Sequence, residues 1–195
     1  MSNRIRLAAL YPEHLNLNGD LANLMVLKKR LEWAGVEVEI VHVDKPADFG
    51  DFDVVVLGHG SRDAWAQLAQ IDSQLVSQVA DLVRAGKRVL AVSSGYEQLI
   101  EEIEGRVVKH NARVSEFQEH EGIVGYVNSE AELEPVQWME NSLLTLLHGP
   151  VFAKNPDLAD KFLGNLIEGS GTPKNENFSR IAELAEASRK IAFED

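Results

Sequence analysis

Arg88-Val89-Leu90-Ala91-Val92-Ser93-Ser94-Gly95-Tyr96 runs from a short apolar strand straight into small residues and then a helical pattern. A run that is apolar at consecutive positions suits a parallel strand covered on both faces. Two more such runs lie upstream. Phe52 to Leu57 ends in Gly58-His59-Gly60-Ser61, and Ile5 to Leu10 ends in Tyr11-Pro12. Segments of helical period separate them. One opens at Gly19-Asp20 and carries Leu21, Leu24, Met25, Leu27, Leu31 and Ala34 on one face, with Asp20 placed to cap it and Gly35 to end it. Another extends from about Arg62 to Ala85, with a break near Asp72 and a stop at Gly86. Val36 to Val43 alternates Val with Glu, as an edge strand with one wet face does. The order β-α-β-β-α-β predicts a mostly parallel sheet in a three-layer α/β/α arrangement.

Beyond Gly105 the pattern changes. Val107 to Val114 and Gly122 to Asn128 read as short strands, and Leu143 to Leu147 is an apolar run ending at His148-Gly149-Pro150. Asn155-Pro156 starts a helix that runs to about Glu168, Gly169 to Pro173 is a linker, and Glu176 to Phe193 is a terminal helix. One domain over 1–195 is expected, with 175–195 as its C-terminal helix. The net charge of −12 excludes the basic footprint of a nucleic-acid binder. The absence of cysteine excludes a disulfide scaffold, a Cys-ligated metal and a thiol nucleophile. No apolar stretch approaches the ~18 residues of a membrane span, and the N-terminus lacks a signal-peptide pattern. A cytoplasmic protein without membrane insertion is expected. His110 and His120, with Glu119 and Glu121, have no metal-ligand spacing and read as a solvated loop. Neither metal nor cofactor is expected.

Ligands of parallel α/β sheets bind beyond the carboxyl ends of the strands. There, Ser93 stands at the tip of a strand-to-helix turn, flanked at two residues' distance by the small Ala91 and Gly95. That is the pattern of a nucleophile elbow, with the Ser94 N–H available to an oxyanion. A plain turn with Ser as helix cap accounts for the same residues. His148, followed by Gly149-Pro150, faces the same edge and is a candidate base. Gly58-His59-Gly60-Ser61 is no phosphate loop, since no Gly-Lys-Ser/Thr follows. It supplies a second oxyanion donor or is a tight turn. Leu15 to Asp20 reads as a capping turn.

Several blocks carry a resemblance. Leu10-Tyr11-Pro12, Leu15-Asn16-Leu17-Asn18-Gly19-Asp20 with Asn23, and Trp33-Ala34-Gly35 resemble the opening of the cobyric-acid-synthase-like branch of class I glutamine amidotransferases. Within that branch the similarity is greatest to subunits that serve lipid II amidation. Leu146 to Pro156 is similar to its His-Gly-Pro…Pro-Lys-Asn signature, and Tyr96 with Leu99 matches its Cys-Gly-Gly-Tyr-Gln-Leu-Leu. The resemblance implies a flavodoxin-like fold, glutaminase chemistry through a thioester, and ammonia delivery to a Mur-ligase-like synthetase. It implies Ser93 and His148 as the catalytic pair, and Ser94 and Gly60 as backbone oxyanion donors. Gly58, His59, Tyr96 and Asn128 are implied to line the pocket for glutamine or a related small molecule.

The departures are specific. The nucleophilic Cys of the branch is Ser93 here, the Gly after it is Ser94, and the Tyr of its Leu-Tyr-Gly-Asp turn is Asn18. Gly125 to Ser129 keeps only a remnant of a segment whose His and Arg are absent. Three readings follow: a subunit impaired in glutaminase activity, a serine hydrolase using Ser93 and His148 with Glu140 or Asp157 as acid, and a non-catalytic scaffold. For the first, Leu15 to Asp20 and Val151 to Asn155 are expected to form one docking face, on which Asp20 and Lys154 contribute charge.

Overall fold

The computed structural model describes residues 4–168 and 176–192. Its centre is a six-stranded sheet of order β2-β1-β3-β4-β8-β7. The strands are β1 (Ile5–Leu10), β2 (Val38–Val43), β3 (Val54–Leu57), β4 (Arg88–Val92), β7 (Val136–Met139) and β8 (Ser142–Thr145). All pairings are parallel except that of β7 with β8. β3, β8 and all of β4 after Arg88 are buried, as the unbroken apolar runs require. β2 is the expected half-wet edge. Helices α3 (Leu75–Arg84) and α4 (Ser94–Glu104) pack on each other on one face. Helix α1 (Ala22–Trp33) packs with α5 (Val151–Lys154) and α6 (Pro156–Leu163) on the other. The arrangement is the three-layer α/β/α fold read from the sequence.

The helical stretch after Ser61 is two helices, α2 (Arg62–Ile71) and α3, divided at Asp72. Asp72 is buried, and one of its oxygens accepts the Tyr11 hydroxyl at 2.7 Å. The break is therefore tied to the end of β1.

Four expectations need correction. Asp20 does not cap α1; the cap position is Leu21, whose N–H is bound by the Asn16 side chain. The two short strands after Gly105 are a long hairpin, β5 (His110–His120) and β6 (Ile123–Ala131), turning at Glu121-Gly122, where φ is +52° and +79°. His110, Glu119 and His120 therefore lie on a strand and not in a loop. The run Leu143 to Leu147 is not one strand. It leaves the main sheet after Thr145, whose hydroxyl donates to Pro135 O and accepts the Leu147 N–H, and becomes β9 (Leu147–His148) in a second sheet. That sheet is antiparallel, of order β5-β6-β9. Finally, the helix after Asn155 stops at Gly164, where φ is +48°, and resumes as α7 (Asn165–Glu168). The linker Gly169 to Pro173 lies outside the described residues, and the terminal helix is α8 (Glu176–Ala192). One contiguous apolar core joins β1, β3, β4 and β8 to the helices on both faces and reaches β6 and β9.

Candidate functional site

Ser93 joins β4 to α4 with φ +48° and ψ −112°, a backbone state that L residues rarely adopt. Such strain costs on the order of 1–3 kcal/mol and persists only where surroundings impose it. Here the constraint is close packing. A Cβ on Gly95 would lie 2.6 Å from Leu57 O and 2.8 Å from Gly58 O, so only glycine lets α4 start against the end of β3. The Ser93 N–H donates to Thr145 O at 2.7 Å. The elbow geometry is therefore present. Ser93 is 1% exposed and lines a cavity of about 660 Å³. Its hydroxyl has no hydrogen-bond partner among the described residues.

His148 reaches the same region from β9, where it pairs with Tyr126 of β6. Its Nδ1 lies 2.6 Å from the Asn18 side-chain nitrogen, and its Nε2 lies 3.2 Å from Asn128 O. The amide nitrogen can only donate, so Nδ1 accepts and Nε2 carries the proton given to the carbonyl. Both ring nitrogens are thus committed, and neither is bonded to Ser93. Glu140 and Asp157, the acids considered for His148, make no hydrogen bond to it among the described residues. The carboxylate that acts on it is Asp20, buried behind the site. Its oxygens accept the N–H groups of His59 at 3.0 Å and Gly149 at 3.1 Å. Burial raises the Asp20 pKa, and those two N–H groups act in the opposite sense. Sequence reasoning read Asp20 as a helix cap. The signal for its true place is its match to the Asp of the Leu-Tyr-Gly-Asp turn.

The loop Gly58-His59-Gly60-Ser61 lies over the elbow. A Cβ on Gly58 would sit 2.1 Å from Leu15 O, which makes this glycine a packing requirement. His59 Nδ1 accepts the Ser94 N–H at 3.3 Å, and its ring stands edge-on to His148 with centroids 4.9 Å apart. Burial and the neighbouring His148 push the His59 pKa down to about 4, so this imidazole is neutral at pH 7. The Ser94 hydroxyl accepts the Gly60 N–H at 3.0 Å and the Trp65 indole N–H at 2.8 Å, and donates to Gly60 O at 3.0 Å. Ser61 caps α2 through the Ala64 N–H.

The cavity thus brings together Ser93, Ser94, His59, Gly60 and Asn128, whereas His148 supports it from behind through Asn18 and Asn128. Tyr96 and Gly58 do not line it. Tyr96 is buried in the core and donates to Gln137 of β7, and burial raises its phenol pKa. At the mouth stand Arg62, the Glu97–His110 pair at 3.9 Å and the Arg113–Glu130 pair at 3.1 Å; of these, sequence reasoning singled out His110 alone, and read it as part of a solvated loop. Burial raises the Glu97 pKa, with His110 opposing. No group of three metal-ligating side chains occurs among the described residues. Of the expected docking face only part is at the surface: Asn16, Leu17, Asn18 and Ala153 are exposed, Leu17 at 63%. The segments at 15–20 and 151–155 do meet, through Asn23, which bonds Gly149 O and the Phe152 N–H. At that junction Asp20, Val151, Phe152 and Asn155 are buried, so Asp20 is not the surface charge it was expected to be. Lys154 turns to Ser188 and the Phe117 ring.

No family model matches the chain. It is 23% identical over 203 residues to the GatD subunit of lipid II isoglutaminyl synthase (glutamine-hydrolyzing) of Staphylococcus aureus, covering 83% of this chain and 84% of that one. Among solved structures it is similar to a glutamine amidotransferase of Thermotoga maritima, with a TM-score of 0.51 at 10% identity, covering 96% and 93% of the two chains. A second glutamine amidotransferase structure aligns over 83% of this chain and 98% of its own, at 18% identity and a TM-score of 0.46. With the strand order and the elbow, the fold is the class I glutamine-amidotransferase-like variant of the flavodoxin-like α/β/α sandwich.

Proposed function

We propose that this chain is a subunit of glutamine-amidotransferase type whose elbow does not hydrolyse glutamine, and which serves by binding a Mur-ligase-like synthetase. One observation carries this reading: the Ser93 hydroxyl has no base, because Asn18 and Asn128 hold both nitrogens of His148. A thiolate attacks an amide carbonyl near neutral pH, whereas a hydroxyl needs a base in contact to take its proton. The likeness to GatD supports the kind of subunit. Arg62 and Glu97 at the cavity mouth suit a small zwitterion such as glutamine, held without cleavage. A single domain acting in the cytoplasm belongs to the same proposal. Among the described residues no helix is long and apolar enough to cross a membrane.

The strained elbow at Ser93 favours a second reading, a serine hydrolase, which would require the His148 ring to leave Asn128 and turn to Ser93. Ammonia release from glutamine, with and without the synthetase that co-purifies, tests the first reading. No release above the buffer blank, together with a synthetase partner, is expected. Release that disappears in Ser93→Ala, or no synthetase partner under any condition, contradicts it.

A further inference from the structure

Oxyanion stabilisation at such an elbow needs two free backbone donors: the N–H after the nucleophile and one from a facing loop. Here these are the N–H groups of Ser94 and Gly60, and both are already bonded within the chain. We propose that Ser94 closes the elbow to acyl transfer: its hydroxyl occupies the Gly60 donor, while His59 Nδ1 occupies the donor of Ser94 itself. The proposal rests on the reading of this turn as one built for acyl transfer, and it identifies what holds the turn closed.

A hydroxyl has one hydrogen and two acceptor sites. In Ser94 all three are used, by Gly60 O, the Gly60 N–H and the Trp65 indole N–H. Rotating the side chain away leaves both N–H groups unpaired, so the closed arrangement holds itself in place. His59 behaves likewise. Its neutral form persists at neutral pH, which keeps the Nδ1 lone pair on the Ser94 N–H. A substrate carbonyl becoming tetrahedral therefore finds no free donor, whatever nucleophile stands at position 93. The related Cys-Gly-Gly-Tyr pattern has glycine at this position, with no side chain to fill the donor. One hydroxymethyl group is what fills the Gly60 donor here.

The test uses the full chain and p-nitrophenyl acetate, an activated ester that reports acyl transfer without glutamine recognition or a partner. Ser93→Cys supplies a strong nucleophile, and alkylation of its thiol by iodoacetamide, which forms no oxyanion, measures access. Alkylation rates are expected to be equal in Ser93→Cys and in Ser93→Cys/Ser94→Gly. Acylation is expected to be on the order of 100-fold faster in the double variant, the worth of one oxyanion donor. Ser93→Cys/Ser94→Ala keeps a better helix former at the start of α4 and frees the same donor, so it decides the matter if glycine unfolds the elbow. Acceleration of less than about tenfold in whichever double variants fold, or a matching rise in alkylation, overturns the proposal. An error in the subunit reading would show separately, as a missing synthetase partner, and would leave the acylation ratio unchanged.

Discussion

The two walls of the cavity are built on opposite principles. The elbow wall stands on the buried strands β1, β3 and β4 and the start of α4, and its polar groups, half-buried at His59, Ser94 and Trp65, bond to one another: Asp20 to His59 and Gly149, His59 to Ser94, Ser94 to Gly60 and Trp65. The hairpin wall, β5 and β6, presents exposed residues whose charges pair across strands, as Arg113 does with Glu130. A network of mutually satisfied groups withdrawn from solvent specifies one geometry, and a member left unpaired there costs more than an exposed pair returns. The elbow wall therefore fixes what the site can do. The hairpin wall adjusts what it admits, at little cost to the fold.

That contrast makes quantitative predictions. The largest effect is expected for Gly58→Ala on the elbow wall, whose Cβ would lie 2.1 Å from Leu15 O and force the two loops apart. A loss of about 3 kcal/mol is expected in urea unfolding; a change under about 1 kcal/mol would mean that this wall is not tightly set. The next concerns pH. His59 has its pKa lowered to about 4 from the ordinary 6.5, so the unfolded chain binds more protons between those values. Its contribution to stability is complete above pH 6.5 and is lost as pH falls towards 4. Asp20, raised by burial, acts in the opposite sense, so the comparison must be with His59→Gln. Urea midpoints across that range should fall less steeply in the variant; parallel slopes would remove His59 from the network. The smallest effect is expected on the hairpin wall. Arg113→Ala should change stability by about 0.5 kcal/mol or less, and a loss above about 2 kcal/mol would erase the distinction between the walls.

Legibility in the sequence followed the same division. β1, β3 and β4 were readable because a strand buried on both faces is apolar at consecutive positions, and the elbow because small residues flank Ser93, of which Gly95 is small for a steric reason. β7 was missed because Val136–Met139 is a four-residue, half-buried edge strand with no clear alternation. The separation of β8 from β9 was hidden because Leu143 to Leu147 is broken only by Thr145, and a bend made by one hydroxyl leaves no hydrophobic trace. Pairing along the hairpin is set by cross-strand neighbours and not by local pattern, so its length and its charges at the cavity mouth were out of reach. At the site, the candidate residues could be named from sequence, but their partners could not. Whether Ser94 offers its N–H to a ligand or to His59 depends on a loop 35 positions away.

The most direct test of the central claim is whether Ser93 reacts. Intact-protein mass spectrometry after exposure to a fluorophosphonate probe reports covalent capture of an activated serine, with Ser93→Ala as the reference. With both nitrogens of His148 committed and both elbow donors occupied, no adduct is expected at pH 7. A stoichiometric adduct on Ser93, absent in Ser93→Ala, would contradict the account and assign the cavity to a serine hydrolase.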